Sequence, residues 1–212
     1  MKRASDAEDT GAGKFLFVGE HTALDFANTL NVNNGAPVET LHSSGDIFRW
    51  LALAGLISPA EHASFLGDLR SPAKQQALLE QIREVRAMWK INLEELIAGK
   101  AAAPEFIELL NRFLSDDLSR LVLVQDAKAR KFQVHQKQVS LEPAKKIRAL
   151  IAGSIAQFLA SAKLPYLRRC AGEDCVIYFY DTTKSHRRQW CSMAICGNRH
   201  KVAKFRAKNG PK

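Results

Sequence analysis

Between residues 72 and 99, the apolar positions Leu78, Leu79, Ile82, Val85, Trp89, Leu93, Leu96 and Ile97 fall at three- and four-residue intervals. That spacing predicts one long amphipathic helix. Ser71-Pro72 would start it, since a serine can cap the first free N–H groups and proline has none to lose at the first helical position. The same device recurs at Ser58-Pro59-Ala60-Glu61, where Glu61 completes a capping box. Ala103-Pro104 precedes Phe106, Ile107, Leu109, Leu110, Phe113 and Leu114, and Pro143 precedes Ile147, Leu150, Ile151, Ile155, Phe158 and Leu159. Both patterns again read as helices. Nearer the start, Ala23 to Asn31 has helical spacing, and Ser44-Gly45-Asp46 begins a helix with Ile47, Trp50, Leu51 and Ala54 on one face.

Elsewhere the period shortens. Phe15 to Val18 predicts a short strand, Asn33-Asn34-Gly35-Ala36-Pro37 a loop by composition. Leu121–Val124 and Phe132–His135 predict the arms of a hairpin. Val176 to Tyr180 is β-branched and aromatic, and a polar turn followed by Gln189-Trp190 predicts a second hairpin. From Asn198 to Lys208 helix formers return, until Asn209-Gly210-Pro211 stops them. Met1 to Lys14 is a polar lead-in, and Lys163-Leu164-Pro165 a short, stiff link. The expected class is α+β: a flexible lead-in over 1–14, a mainly helical domain with a small β-hairpin over 15–162, and a small C-terminal module over 163–212.

Charge sharpens that division. The chain of 212 residues carries a net +9. From Lys163 onward twelve Lys/Arg face only Glu173, Asp174 and Asp181, so the C-terminal module holds the whole excess. Such asymmetry points to a polyanion partner for that module. No apolar run approaches the ~20 residues that span a bilayer, and no export signal follows Met1-Lys2-Arg3. A soluble, cytoplasmic protein with no membrane partner is expected.

The same module holds all four cysteines, Cys170, Cys175, Cys191 and Cys196, spaced C-x4-C, fifteen residues, C-x4-C. Two short-spaced pairs can bring four thiolates to one tetrahedral zinc ion. Two disulfides are the alternative, disfavoured where thiols stay reduced. Four sulfur ligands leave no open position for water, so the zinc would be structural. His186 and His200 could replace a cysteine, but read more simply as solvated basic residues. With the cysteines placed as ligands, a hairpin plus helix resembling a treble-clef or ribbon module follows, and metal binding would supply much of its folding free energy.

The basic residues then become candidate phosphate contacts: Arg168, Arg169, Lys184, Arg187, Arg188, Arg199, Lys201, Lys204 and Lys208. At about 100° per residue, Lys201, Lys204 and Lys208 form one stripe on the terminal helix, while Val202 and Phe205 occupy a sector suited to packing on the hairpin. No Ser-His-Asp order, phosphate-cradling glycine loop or paired catalytic carboxylates stand out, so no enzyme is expected.

Arg188-Gln189-Trp190-Cys191-Ser192-Met193 and Cys196-Gly197-Asn198-Arg199, with Phe179, Asp181 and Thr183, resemble the signature of the CGNR zinc-finger family. Gly19 and Leu24-Asp25-Phe26-Ala27-Asn28-Thr29 resemble a segment of its usual companion, the ABATE domain. The resemblance implies a bacterial, stress-responsive transcription regulator whose zinc module binds DNA; on that reading the helical half is expected to sense an effector or mediate homodimerisation. RNA or the ribosome is the alternative partner for the same electrostatics. Asp25, Asn28 and Thr29 then have two readings. They are internal hydrogen-bonding groups, or they line an effector pocket with Arg49, Glu20 and His21.

Overall fold

The computed structural model describes residues 15–33, 36–116, 119–126, 131–138 and 142–209. The lead-in 1–14, Asn34-Gly35, the Gly210-Pro211 stop and the side chain of Lys208 lie outside them. The order is α1 (Thr22–Ala27), β1 (Leu30–Asn33), β2 (Ala36–Glu39), α2 (Ser44–Leu53), α3 (Pro59–Asp68), α4 (Pro72–Ile97), α5 (Pro104–Leu114), β3 (Ser119–Asp126), β4 (Lys131–Gln138), α6 (Pro143–Ser161), β5 (Leu167–Arg169), β6 (Tyr178–Tyr180) and α7 (Asn198–Asn209). A 3₁₀ turn at Leu164–Tyr166 precedes β5, and a π-turn at Met193–Gly197 precedes α7. The strands form three antiparallel pairs, β1–β2, β3–β4 and β5–β6.

Local chemistry sets the helix starts. Ser58 accepts from the Glu61 N–H while Glu61 reaches back to the Ser58 N–H, the predicted capping box. Ser43 and Asp46 form a second box one residue ahead of the expected start of α2. Proline occupies the first turn of α3, α4, α5 and α6.

The apolar stripe of α4 forms the middle of the core. Trp89 is fully buried, stacks on Phe106 at 5.8 Å and meets Phe158 edge-on at 6.0 Å. Its indole N–H donates to the Ala23 carbonyl at 2.8 Å, which ties α4 to α1. Burying such a side chain is worth about 2–3 kcal/mol in transfer free energy, and these rings share the core of α4, α5 and α6 with Leu93, Leu110, Ile151 and Ile155. Ile97 and Ile107, at the margins of their stripes, are 37% exposed.

Several expectations need correction. The helix at Ala23 stops at Ala27, because the Thr29 hydroxyl takes the Phe26 carbonyl and Asn28 is engaged elsewhere. What read as a loop at 33–37 is largely a hairpin, Leu30–Asn33 pairing with Ala36–Glu39. Asn-Gly is a two-residue hairpin signal, and Pro37 is tolerated because a two-stranded sheet has only edge strands. Phe15 to Val18 joins no described sheet, yet it alternates: Phe15 and Phe17 pack into the helical core, Leu16 and Val18 against the cysteine cluster. The predicted β3–β4 hairpin is present and longer than its apolar runs. In the C-terminal module, β6 pairs backward with β5 (Leu167↔Tyr180) instead of forward with Gln189-Trp190. Val202 and Phe205 do not pack on it, being 48% and 66% exposed.

Candidate metal centre

Backward pairing is what assembles the cysteines. β5 runs into Cys170, the chain turns through Gly172 to Cys175, and β6 returns alongside. The Cys170 N–H bonds the Ile177 carbonyl at 2.9 Å and the Cys175 N–H the Gly172 carbonyl at 3.0 Å. Ala171 donates to Gln189 at 2.9 Å, drawing the second half of the module against the first. Cys191 follows, and the π-turn delivers Cys196.

All four sulfurs lie within 4.8 Å of one another. Cys175–Cys191 and Cys191–Cys196 are 3.9 and 3.6 Å apart. A tetrahedron with Zn–S near 2.3 Å has edges of about 3.8 Å, whereas a disulfide needs about 2.05 Å. The spacing fits a metal and excludes disulfides in this conformation. Gly172 is part of the fit: a Cβ there would stand 3.1 Å from Cys175 Cβ and 3.5 Å from Cys196 Sγ.

Charge makes the same point. Hydrogen bonds from Cys175 and Cys191, helped by the N–H groups of Cys191 and Gly172, hold Cys170 far below an ordinary thiol. Its thiolate in turn pushes Cys175 up to about 12, and Cys191 upward as well. One negative charge forms easily and the next are resisted; a divalent cation removes that resistance. The four cysteines form a site that can hold zinc. Its closed, all-sulfur donor set suits a structural ion.

A second layer of side chains fixes these ligands. Asp181 is fully buried and accepts from the Thr183 N–H and hydroxyl and from the Arg188 N–H. Burial alone would raise its carboxyl, but these bonds hold it below the usual range. Arg188, a phosphate candidate by sequence, is engaged within the module. Its guanidinium lies 4.4 Å from the Phe179 ring centroid and donates to the carbonyls of Trp190, Cys191 and Val18 and to Glu20. It clamps the third ligand instead of facing solvent. His186 stacks on Tyr166 at 3.7 Å and His200 lies tilted against Trp190 at 4.7 Å; neither joins the cysteine cluster.

The centre is fastened to the helical body by residues proposed for an effector. Asn28, fully buried, donates to the Tyr178 carbonyl at 2.8 Å and accepts from the Tyr178 N–H at 2.9 Å, acting as a one-residue strand beside β6. Asp25 accepts from the Gly19 N–H at 2.8 Å, and Thr29 accepts from Arg86, which also grips Glu39. Arg49 lies over the Phe15 ring and within 3.8 Å of Asp46. Asp25, Asn28 and Thr29 are thus internal hydrogen-bonding positions. None of the four lines the cavity of about 250 Å³ beside the cysteines, which Leu16, Val32, Val38, Ile177 and Ile195 wall. His21 does border a different cavity, of about 240 Å³, with Lys146, Ser154 and Gln157.

Across the same junction the Tyr178 hydroxyl donates to Glu94 at 2.6 Å, Arg169 pairs with Glu94 at 3.4 Å, and Lys90 donates to the Leu30 carbonyl. Burial lowers the Lys90 ammonium to about 8. Sequence alone did not point to Asn28 as a latch or Arg188 as a clamp. Asn28 bonds only backbone groups of Tyr178 and Arg188 chiefly backbone carbonyls, and these carry no residue signature.

The other basic candidates divide by place. Lys184 and Arg187 are exposed on the loop after β6, and Arg199, Lys201 and Lys204 on α7, every residue of which is exposed from Asn198 to Ala207. Arg168 is half-buried and reaches the His186 carbonyl at 3.5 Å. Arg169 is exposed beside Glu94.

Fold and site together define a helical body joined to a four-cysteine module that can hold zinc. A family model for the CGNR zinc finger matches residues 166–209, and one for ABATE, described as "Putative stress-induced transcription regulator", matches 20–162. The chain belongs to the ABATE family and carries a CGNR zinc finger. No curated protein matches it. Among the described residues no helix is long and apolar enough to cross a membrane.

Proposed function

We propose that the protein is a zinc-dependent nucleic-acid-binding regulator whose C-terminal module, residues 163–212, engages DNA while residues 15–162 carry and orient it. The observation that carries the reading is α7: a helix rooted in Cys196-Gly197 at the metal centre, exposed along 198–207, bearing Arg199, Lys201, Lys204 and Arg206 and no acid. An α-helix of this width fits the major groove of duplex DNA, and its cations release condensed counterions on binding. The exposed loop carrying Lys184 and Arg187 supplies further backbone contacts. The regulator and zinc-finger families support a binding role.

The test is fluorescence anisotropy of zinc-loaded protein with duplex DNA across a salt series. With about five phosphate contacts, log K against log[salt] should slope near about −4.5. Lys201→Gln with Lys204→Gln should flatten that slope by roughly 2. An affinity indifferent to salt, or a double variant with an unchanged slope, defeats the proposal. Structured RNA competing better than duplex DNA at one salt concentration would reassign the partner.

A further inference from the structure

Among the described residues the strands of the β3–β4 hairpin pair chiefly with each other. The hairpin joins α5 to α6 as two eight-residue strands, an arm roughly 25 Å long. Among the described residues neither strand packs closely on any other element. Leu123 and Val134, directly opposite each other in the register, are 65% and 63% exposed. An isolated two-stranded ribbon is marginal in water, and its open edges offer unpaired N–H and C=O groups. An open edge of this kind calls for a strand to pair with it, and pairing at its middle would set a second apolar side chain beside Leu123.

We infer that the arm pairs with a second copy of this chain, β3 against β3 across a two-fold axis at Leu123, giving a four-stranded antiparallel sheet in the order β4-β3-β3-β4. Directly paired residues in an antiparallel ladder share a face, so the register must match odd positions with odd. With Leu123 on the axis, Arg120 opposes Asp126 of the second copy, twice by symmetry, and Val122 opposes Val124. Opposite charges meet at the ends and apolar pairs at the centre, with Leu121 opposite Gln125 between them, an arrangement compatible with an isologous interface. β4 offers no such register. Its titratable residues are Lys131, His135 and Lys137, with no acid, so charged self-pairing sets like against like. The hairpin as a whole is basic, which makes nucleic acid the rival occupant. The self-complementary edge of β3 favours a second copy of the chain.

Sedimentation velocity on the full-length, zinc-loaded protein tests this. The wild type should be a dimer. Leu123→Lys, which sets two cations on the axis, should raise the dissociation constant about tenfold or more, as should Arg120→Asp, which faces Asp126 with a like charge. Arg120→Asp combined with Asp126→Arg should restore the dimer, because both symmetric pairs are rebuilt with their signs reversed. Zinc content and far-UV circular dichroism at wild-type values would show that the variants fold. A wild type that stays monomeric at its highest soluble concentration overturns the inference. So does a dimer indifferent to Leu123→Lys, or a charge swap no better than Arg120→Asp alone. A monomer in which Arg120→Asp weakens duplex DNA binding would give the arm to nucleic acid instead.

Discussion

Asn28 and Arg188 show how single side chains join the metal module to its support. Asn28 both donates to and accepts from the backbone of Tyr178 in a fully buried site. Asn28→Ala strands two buried polar groups and should destabilise the protein by about 2–4 kcal/mol, read by urea denaturation. Asn28→Asp keeps the acceptor but turns a carboxylate oxygen toward the Tyr178 carbonyl, so it should recover little; full recovery would show that only the accepted bond matters. Arg188 makes a different case. A lysine in its place keeps the charge but not the planar fork that reaches Trp190, Cys191, Val18 and Glu20 at once. Arg188→Lys should therefore release zinc to a competing chelator faster while leaving the salt slope of DNA binding unchanged. A flattened slope with normal zinc retention would return Arg188 to the phosphate surface. Neither role was legible in the sequence, where asparagine in an apolar segment and arginine in a basic run each have more than one ordinary meaning.

At the scale of elements, what the sequence discloses depends on how far apart the partners lie. The box at Ser58-Pro59-Ala60-Glu61 was readable because it closes within four residues, and the α4 stripe because one face of one helix carries it. Backward pairing of β5 with β6 spans the first cysteine pair, and the ribbon at 30–39 hides behind loop composition; both depend on backbone partners no short window contains. The α3 box also reaches outward, since Lys146 on α6 pairs with Glu61. Hydrogen bonds from Lys146 and Ser58 pull the Glu61 carboxyl from its ordinary 4.5 to about 2. A depressed folded pKa adds stability that is complete above 4.5 and disappears as pH falls toward 2. The melting temperature should accordingly decline across that window by a component that Glu61→Gln lacks. Glu61 is 38% exposed, so solvent screening keeps the component small. Parallel curves for the two proteins over pH 4.5 to 2 would show that the contact contributes nothing.

For the whole molecule, the decisive matter is whether the metal module can be lost without disturbing the rest. Spacing and charge suggested an appended module beyond a short link. In the structure Leu167 and Tyr178 belong to the same core as Trp89, Phe106 and Phe158, and Tyr180 packs against it. The segment 15–18 places alternate residues in that core and in the cysteine cluster, and Gly19 accepts from the Tyr180 N–H at 2.9 Å. Losing zinc should release the knuckles that hold β5 and β6, and with them Tyr178, leaving Asn28 without its partner. The helical body ought then to weaken too. Calorimetry of the zinc-loaded protein should give one cooperative transition, and Cys196→Ser or chelation should lower the unfolding temperature of all the helical signal, not only the part from α7. The alternative is two transitions in the loaded protein, of which chelation moves one. That outcome would mean the shared core contacts are too weak to couple the halves, and the zinc finger would be a tethered module after all.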